Sequence, residues 1–182
     1  AASGAVGAIV GQLAKGIGCR VIGVAGSQEK VNYVINELGF DFAVNYNKED
    51  VANRFRELCP NGINIYWDNV GGAITDAAID QIANFGRAVI CGQIALYNET
   101  SVPNGPRNIP RMMLSRKART EGFIVSQFSG RNDEALLRLS TWVRDGVLKY
   151  REDVVEGIEN SPKAFIGLLA GTNFGKLLVK TR

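Results

Sequence analysis

Three short strings hold the residues best suited to chemistry. The chain opens Ala1-Ala2-Ser3-Gly4-Ala5-Val6-Gly7, with Gly4 and Gly7 at the last two glycine places of G-x-G-x-x-G and Ala2 at the first. In that pattern the middle glycine lets backbone approach a pyrophosphate, the last lets the following helix pack closely on a sheet, and the helix N-terminus favours the anion. Small residues at a tight turn serve packing equally well, so this string alone leaves both readings open. The second string is Gly26-Ser27, with Lys30 one turn further on. An NAD-binding protein places Asp or Glu about 20 residues beyond its glycine turn to grip the ribose hydroxyls. Here a 2′-phosphate would instead meet a hydroxyl and an ammonium, which favours NADP, whereas a solvated Lys30 paired with nothing is the alternative reading of the same position. The third string, Asp68-Asn69-Val70-Gly71-Gly72, ends an apolar run and opens a helical one, where open α/β sheets receive ligands. Asn69 at that place either contacts the nicotinamide ribose or caps the helix behind it.

Positioning these strings requires alternating strands and helices. Val6, Ile9, Val10, Leu13 and Ile17 recur at helical spacing, and RVIGVA over Arg20 to Ala25 reads as a strand buried on both faces. The alternation continues with a helix over Glu29 to Leu38, a strand over Phe42 to Asn45, a helix over Asp50 to Leu58 and a strand over Ile63 to Asp68. A helix over Ile74 to Ala83 and a strand over Arg87 to Cys91 follow. Gln93 to Pro110, rich in Asn, Pro and Gly, is expected to be a long loop, and long loops in compact domains tend to be functional. Beyond it the pattern predicts a basic helix over Arg111 to Ala118, a strand near Gly122 to Val125 and an amphipathic helix over Asp133 to Asp145. After the break at Gly146 a smaller strand, helix, strand unit is expected, with Val154 to Glu156, Pro162 to Leu169 and Leu177 to Val179 as its parts. The expected fold is therefore an α/β, Rossmann-type doubly wound parallel sheet, with a dinucleotide-binding domain over 1–145 and a C-terminal segment over 146–182. Such a sheet begins with a strand that feeds the glycine turn, whereas this chain starts at the turn, so a fragment lacking the first strand is expected.

Composition narrows the function classes. The 21 basic and 18 acidic residues are interspersed and leave a formal charge of +3, so neither nucleic acid nor a membrane surface is an expected partner. The absence of histidine removes the usual base of nucleophilic triads and the commonest metal ligand. With Cys19, Cys59 and Cys91 scattered, no catalytic metal is expected, and reduced thiols in the cytoplasm are.

AASGAVG with Gly11-Gln12-Leu13-Ala14-Lys15, then GSQEK, ELGFD, NYN, DNVGG, CGQIALYN and NFGK, resembles in order and spacing the prostaglandin reductases, also called leukotriene B4 12-hydroxydehydrogenases or 2-alkenal reductases. The resemblance covers nearly all 182 residues. It implies a zinc-independent medium-chain dehydrogenase/reductase built from an N-terminal GroES-like catalytic domain, a Rossmann cofactor domain and a short return of the chain, of which this sequence resembles the last two. It implies NADP(H) as cofactor, with Gly4, Ala5, Val6 and Gly7 at the pyrophosphate, Lys30 and Tyr46 at the 2′-phosphate, and Asn69 at the ribose. Cys91, Gly92, Gln93, Ile94, Ala95, Leu96 and Tyr97 would line nicotinamide and substrate, Phe123, Ile124 and Val125 would pass near the same pocket, and Asn173 would close over the cofactor. Tyr46 as a rim aromatic, Tyr97 as a solvated loop residue and Phe123 as core are the plain alternatives. The implied reaction is hydride transfer from NADPH to the β-carbon of an enone or enal, then protonation of the enolate, with the Tyr97 hydroxyl facing the substrate carbonyl where charge develops. A quinone oxidoreductase of the same superfamily and a non-catalytic NADP-binding module are the rival readings. The family commonly dimerises through its cofactor domain, so a homodimer is expected, with the apolar strand near Phe123 as its edge.

Overall fold

The computed structural model describes residues 1–98, 100–101 and 109–181. Contacts divide the chain into two compact units, Ala1–Lys48 with Gly130–Arg182, and Glu49–Ser129.

In the first unit, α1 (Ala5–Gly16) is followed by β1 (Ile22–Ala25), α2 (Gln28–Asn36) and β2 (Phe42–Asn45). The two strands are parallel, Ile22 opposite Phe42 and Ala25 opposite Asn45, and α2 makes the crossover that a parallel pair demands. Ser27 starts α2 by accepting a hydrogen bond from the Lys30 amide at 3.2 Å. Val31 and Val34, three apart on one face, are buried with Ala2, Ala8, Ala25, Leu38, Phe40 and Ala43. The outer end of the Phe40 ring abuts Gly11 of α1, where a methyl group would run into it, so the helix approaches only because that residue is glycine. The unit also holds α6 (Asn132–Arg144), β6 (Glu152–Glu156), α7 (Ser161–Leu169) and β7 (Lys176–Lys180), with β6 and β7 a second parallel pair. Gln12 ties α1 to the chain after α6: its Nε2 donates to the Lys149 carbonyl and its Oε1 accepts from the Lys149 amide, each at 2.8 Å.

In the second unit, α3 (Val51–Leu58), β3 (Ile63–Asp68), α4 (Ala73–Asp80), β4 (Ile82–Ile90), α5 (Ile109–Arg116) and β5 (Arg119–Gly122) build a parallel sheet in the order β3-β4-β5. Two expectations are corrected here. The helix predicted through Ala83 stops at Asp80, and Ile82 and Ala83 begin a strand. Their apolar side chains suit either period, and pairing decides: Ile82 lies opposite Ile63, whose amide donates to the Gln81 carbonyl at 2.7 Å. The apolar strand predicted near Gly122 to Val125 lies earlier, over Arg119–Gly122, opposite Arg87 to Ile90 of β4. Phe123 still donates to the Ile90 carbonyl at 3.3 Å, but the Ile124 amide turns to the Gln127 Oε1, and a 3₁₀ turn runs over Val125–Arg131. Within the expected loop of Gln93 to Pro110, Ile94–Leu96 form one 3₁₀ turn; residues 99 and 102–108 lie outside those described.

Candidate functional site

In the first unit the glycine turn is shaped as the sequence requires. Gly4 caps α1 in an extended conformation, with no side-chain acceptor on the first turn and no acidic residue there. The amides of Ala5, Val6 and Gly7 thus open a twelve-residue helix without a carboxylate of its own to neutralise them, the arrangement that suits an incoming anion. Gly7 is pressed against the backbone of Ala1 and Ala2, and a Cβ there would lie 3.1 Å from Ala2 Cα and closer still to Ala1. The close approach that the third fingerprint glycine exists to permit is therefore present.

At the end of β1 the observations bear on which nucleotide fits. The Tyr46 ring lies over Gly26: a Cβ on Gly26 would sit 2.6 Å from the Tyr46 Oη and 2.9 Å from its Cζ. A carboxylate-bearing side chain at Gly26 would collide with that ring, so the acid that grips ribose hydroxyls in NAD-binding folds has no room here without moving Tyr46. Asn47 fixes the turn by donating from Nδ2 to the Gly26 carbonyl at 2.7 Å. Lys30 is not the unpaired surface residue of the alternative reading: its Nζ donates to the Gly171 carbonyl at 2.7 Å. Asn173, two residues beyond, donates from Nδ2 to the Gly175 carbonyl at 2.9 Å and so shapes its own turn. Next to it Phe174 is buried, edge-on to Tyr33 and beneath the Arg151 guanidinium, which lies 3.7 Å from its ring centroid. Burial pushes the Tyr33 hydroxyl above its ordinary pKa, Arg151 opposes the shift, and Glu37 adds to it.

The second unit is organised by a residue that the sequence reading passed over. Asp68, 1% exposed, accepts at Oδ1 from the amides of Val70 and Gly71 at 2.8 and 2.9 Å, and at Oδ2 from the Thr75 hydroxyl at 2.7 Å. Thr75 in turn shares a 3.0 Å hydrogen bond with the Tyr66 hydroxyl. Asn69 is therefore not the helix cap of the alternative reading. The cap of α4 is Gly72, at φ 68°, and among the described residues the Asn69 side chain makes no hydrogen bond. The acid preceding DNVGG's asparagine, followed seven residues later by a hydroxyl, was the signal available in the sequence.

The segment Cys91 to Tyr97 is laid along this turn by backbone hydrogen bonds. The amides of Cys91 and Gly92 both donate to the Asp68 carbonyl at 2.8 and 3.1 Å, and the Ala95 amide donates to the Val70 carbonyl at 2.9 Å. Gly71 and Gly72, both at positive φ, lie against Gln93 and Ala95. Cys91, Gly92, Gln93, Ile94 and Ala95 are thus held against Asn69 and its neighbours, and Leu96 and Tyr97 continue from them in the 3₁₀ turn. Burial raises the Cys91 thiol above its ordinary pKa, and the Asp68 charge adds to the shift, so it is no ready nucleophile. Tyr97 closes the 3₁₀ turn and is 68% exposed. Phe123 packs edge-on between Trp67 and Phe128, with centroids 5.6 and 5.9 Å apart, whereas Ile124 and Val125 are largely exposed.

The family model described as zinc-binding dehydrogenase matches residues 5–141. The chain belongs to that family. Within it, the chain is 48% identical to prostaglandin reductase 1 of Oryctolagus cuniculus, over 97% of this chain and 50% of that protein. It is 42% identical to the NADPH-dependent curcumin reductase of Escherichia coli strain K12, over 99% of this chain and 53% of that protein. The crystal structure of CurA in complex with NADPH from Vibrio vulnificus superposes with a TM-score of 0.93 at 42% identity, covering 100% of this chain and 55% of that one. The chain therefore spans about half the length of the relatives it matches. The chain has no histidine, and among the described residues no group of three or more His, Cys, Asp or Glu is placed to hold a metal. No helix among the described residues is long and apolar enough to cross a membrane.

Proposed function

We propose that this chain is the NADPH-binding part of a cytoplasmic oxidoreductase that reduces the carbon-carbon double bond of α,β-unsaturated ketones or aldehydes, of the 15-keto-prostaglandin or 2-alkenal type. The carrying observation is the floor at the end of β1, where Tyr46 occupies the space of an NAD-binding acid and the Lys30 ammonium stands nearby. The kinship with prostaglandin reductase 1 and NADPH-dependent curcumin reductase supports the same reading.

In this reading residues 1–145 form the cofactor domain and 146–182 return to a catalytic domain. The uncapped amides of Ala5, Val6 and Gly7 bind pyrophosphate, Lys30 and Tyr46 bind the 2′-phosphate, and Asn173 covers the cofactor. Asn69, whose side chain makes no hydrogen bond among the described residues, takes the ribose. Cys91 to Leu96 and Phe123, Ile124 and Val125 border the nicotinamide. NADPH, when bound, supplies the hydride. Tyr97 donates a hydrogen bond to the substrate carbonyl oxygen, where negative charge grows as the β-carbon accepts that hydride; such a donor acts only as the charge develops and so lowers the barrier. The exposed Ile124 and Val125 contribute to a homodimer contact.

The test is a titration with NADPH and with NADH followed by tryptophan fluorescence, then turnover of an enone, an enal and a quinone by the enzyme containing this chain. Tight NADPH and weak NADH binding with enone turnover is expected. Equal affinity for both nucleotides would remove the cofactor argument, turnover of the quinone alone would favour a quinone oxidoreductase, and binding without turnover a non-catalytic module. Tyr97→Phe should lower kcat and leave cofactor affinity unchanged.

A further inference from the structure

We propose that the turn at Gly171 is a specificity-determining element for the cofactor, acting through the position it gives Lys30. The inference rests on the NADPH reading above and assigns a part to residues well outside the glycine fingerprint.

Lys30 and Gly171 are 141 residues apart in sequence, yet the Lys30 Nζ donates to the Gly171 carbonyl at 2.7 Å. A lysine carries four rotatable bonds and loses rotamer freedom when it is fixed. A lysine left in water must give up that freedom when it captures a phosphate. Here part of that freedom is already given up: one of the three ammonium donors is bound to a neutral carbonyl, and two remain for an anion. A dianionic phosphate offers stronger, charge-assisted hydrogen bonds than an amide carbonyl, so the carbonyl orients the ammonium without competing for it.

The same place gathers the rest of a phosphate floor. Lys30 lies in the first turn of α2, its amide bound to the Ser27 hydroxyl oxygen. The Tyr46 hydroxyl lies over Gly26 and is also the nearest atom, at 4.0 Å, to where a Cβ on Gly171 would stand. Gly26, Lys30, Tyr46 and Gly171 therefore meet, although they come from three separate stretches of chain.

Gly171 has φ +70°. That is the left-handed region, which glycine occupies freely, asparagine tolerates and β-branched residues resist. Because the space beside Gly171 is open out to 4.0 Å, a substitution there acts through backbone conformation and not through a clash. The carbonyl that holds Lys30 can thus be moved in graded steps.

The experiment measures affinity for NADPH, NADH and adenosine 2′,5′-bisphosphate in Lys30→Ala, Gly171→Asn, Gly171→Ala and Gly171→Val, and in Lys30→Ala combined with each Gly171 change. Thermal unfolding of every variant is recorded, and Gly171→Ala replaces Gly171→Val if the latter does not fold. Lys30→Ala should weaken NADPH and the bisphosphate by about tenfold or more while leaving NADH nearly unchanged. Gly171→Val should weaken the two 2′-phosphorylated ligands by about fivefold, Gly171→Ala by less, and Gly171→Asn hardly at all. In the Lys30→Ala background the Gly171 changes should have no further selective effect. Equal losses for NADPH and NADH in Gly171→Val overturn the proposal, as does a selective loss that persists without Lys30, or tighter NADPH binding once the carbonyl is displaced. An equal loss of NADPH and NADH in Lys30→Ala itself overturns the underlying cofactor reading and the proposal with it, so the two failures are told apart by which variant produces them.

Discussion

Removing the Asp68 carboxylate should cost more stability than almost any other single polar change in the second unit. Its two oxygens accept from the amides of Val70 and Gly71 and from the Thr75 hydroxyl, in a position that is 1% exposed. In Asp68→Ala the Thr75 hydroxyl can still turn to Tyr66 at 3.0 Å, but the two amides have no other acceptor in the turn. A buried donor left unsatisfied costs about 1–3 kcal/mol, so the loss is expected at about 2–5 kcal/mol. That is a large share of a typical domain stability of about 5–15 kcal/mol. Asp68→Asn keeps one carbonyl oxygen for the two amides and loses charge assistance, for a cost of about 1–2 kcal/mol. Thr75→Val should cost a similar amount and be non-additive with Asp68→Ala, since both remove the same bond. Urea unfolding with an unchanged slope measures all three. The reasoning fails if Asp68→Ala loses less than about 1 kcal/mol, or if asparagine proves as damaging as alanine.

Gly11→Ala should destabilise the first unit by about 1–3 kcal/mol through overpacking, because its methyl would enter the Phe40 ring; an unchanged urea midpoint would show that the ring moves freely. Burial, its largest influence, holds the Tyr66 hydroxyl well above the ordinary tyrosine pKa, against the opposing effect of the hydrogen bond it shares with Thr75 and with the Asp68 charge adding to the rise. The unfolded chain therefore loses that proton first, and stability present below about pH 10 should decline as pH rises beyond it. Tyr66→Phe should flatten this alkaline decline, and parallel curves would refute the assignment. The Asp41 carboxyl is held below its ordinary pKa by the Lys15 ammonium and then by the Val21 amide, at 2.8 and 2.7 Å. Its contribution is present above about pH 3.9 and lost as pH falls through and below that value. Because the Lys15 and Asp41 side chains are 34% and 30% exposed, solvent screening limits Asp41→Asn to about 1 kcal/mol at neutral pH. The variant's acid unfolding curve should lack the wild-type step in that window.

Much of this protein was legible in the order of its residues. Alternating apolar runs and capped helices are local, periodic signals, and β2 and β3 fall at Phe42–Asn45 and Ile63–Asp68 as the pattern predicts. Gly7 was readable for the same reason, since a turn that admits no Cβ leaves its mark in residue type, and a Cβ there would run into the backbone of Ala1 and Ala2. Where the signal was ambiguous, pairing decided. Ile82 and Ala83 fit a helix or a strand equally, and only the presence of Ile63 alongside made them strand. Ile124 and Val125 carry the side chains of a strand, but β4 offers β5 partners only as far as Ile90, so they leave the ladder.

What sequence alone determined is the kind of most elements and the choice of glycine at crowded turns, because those depend on backbone periodicity and on the presence or absence of a Cβ. Contacts distant in sequence were beyond its reach. That Tyr46 fills the space over Gly26, that Lys30 rests on a carbonyl 141 residues away, and that Asp68 and not Asn69 holds the DNVGG turn were decided only when the fold brought those atoms within hydrogen-bonding or van der Waals range.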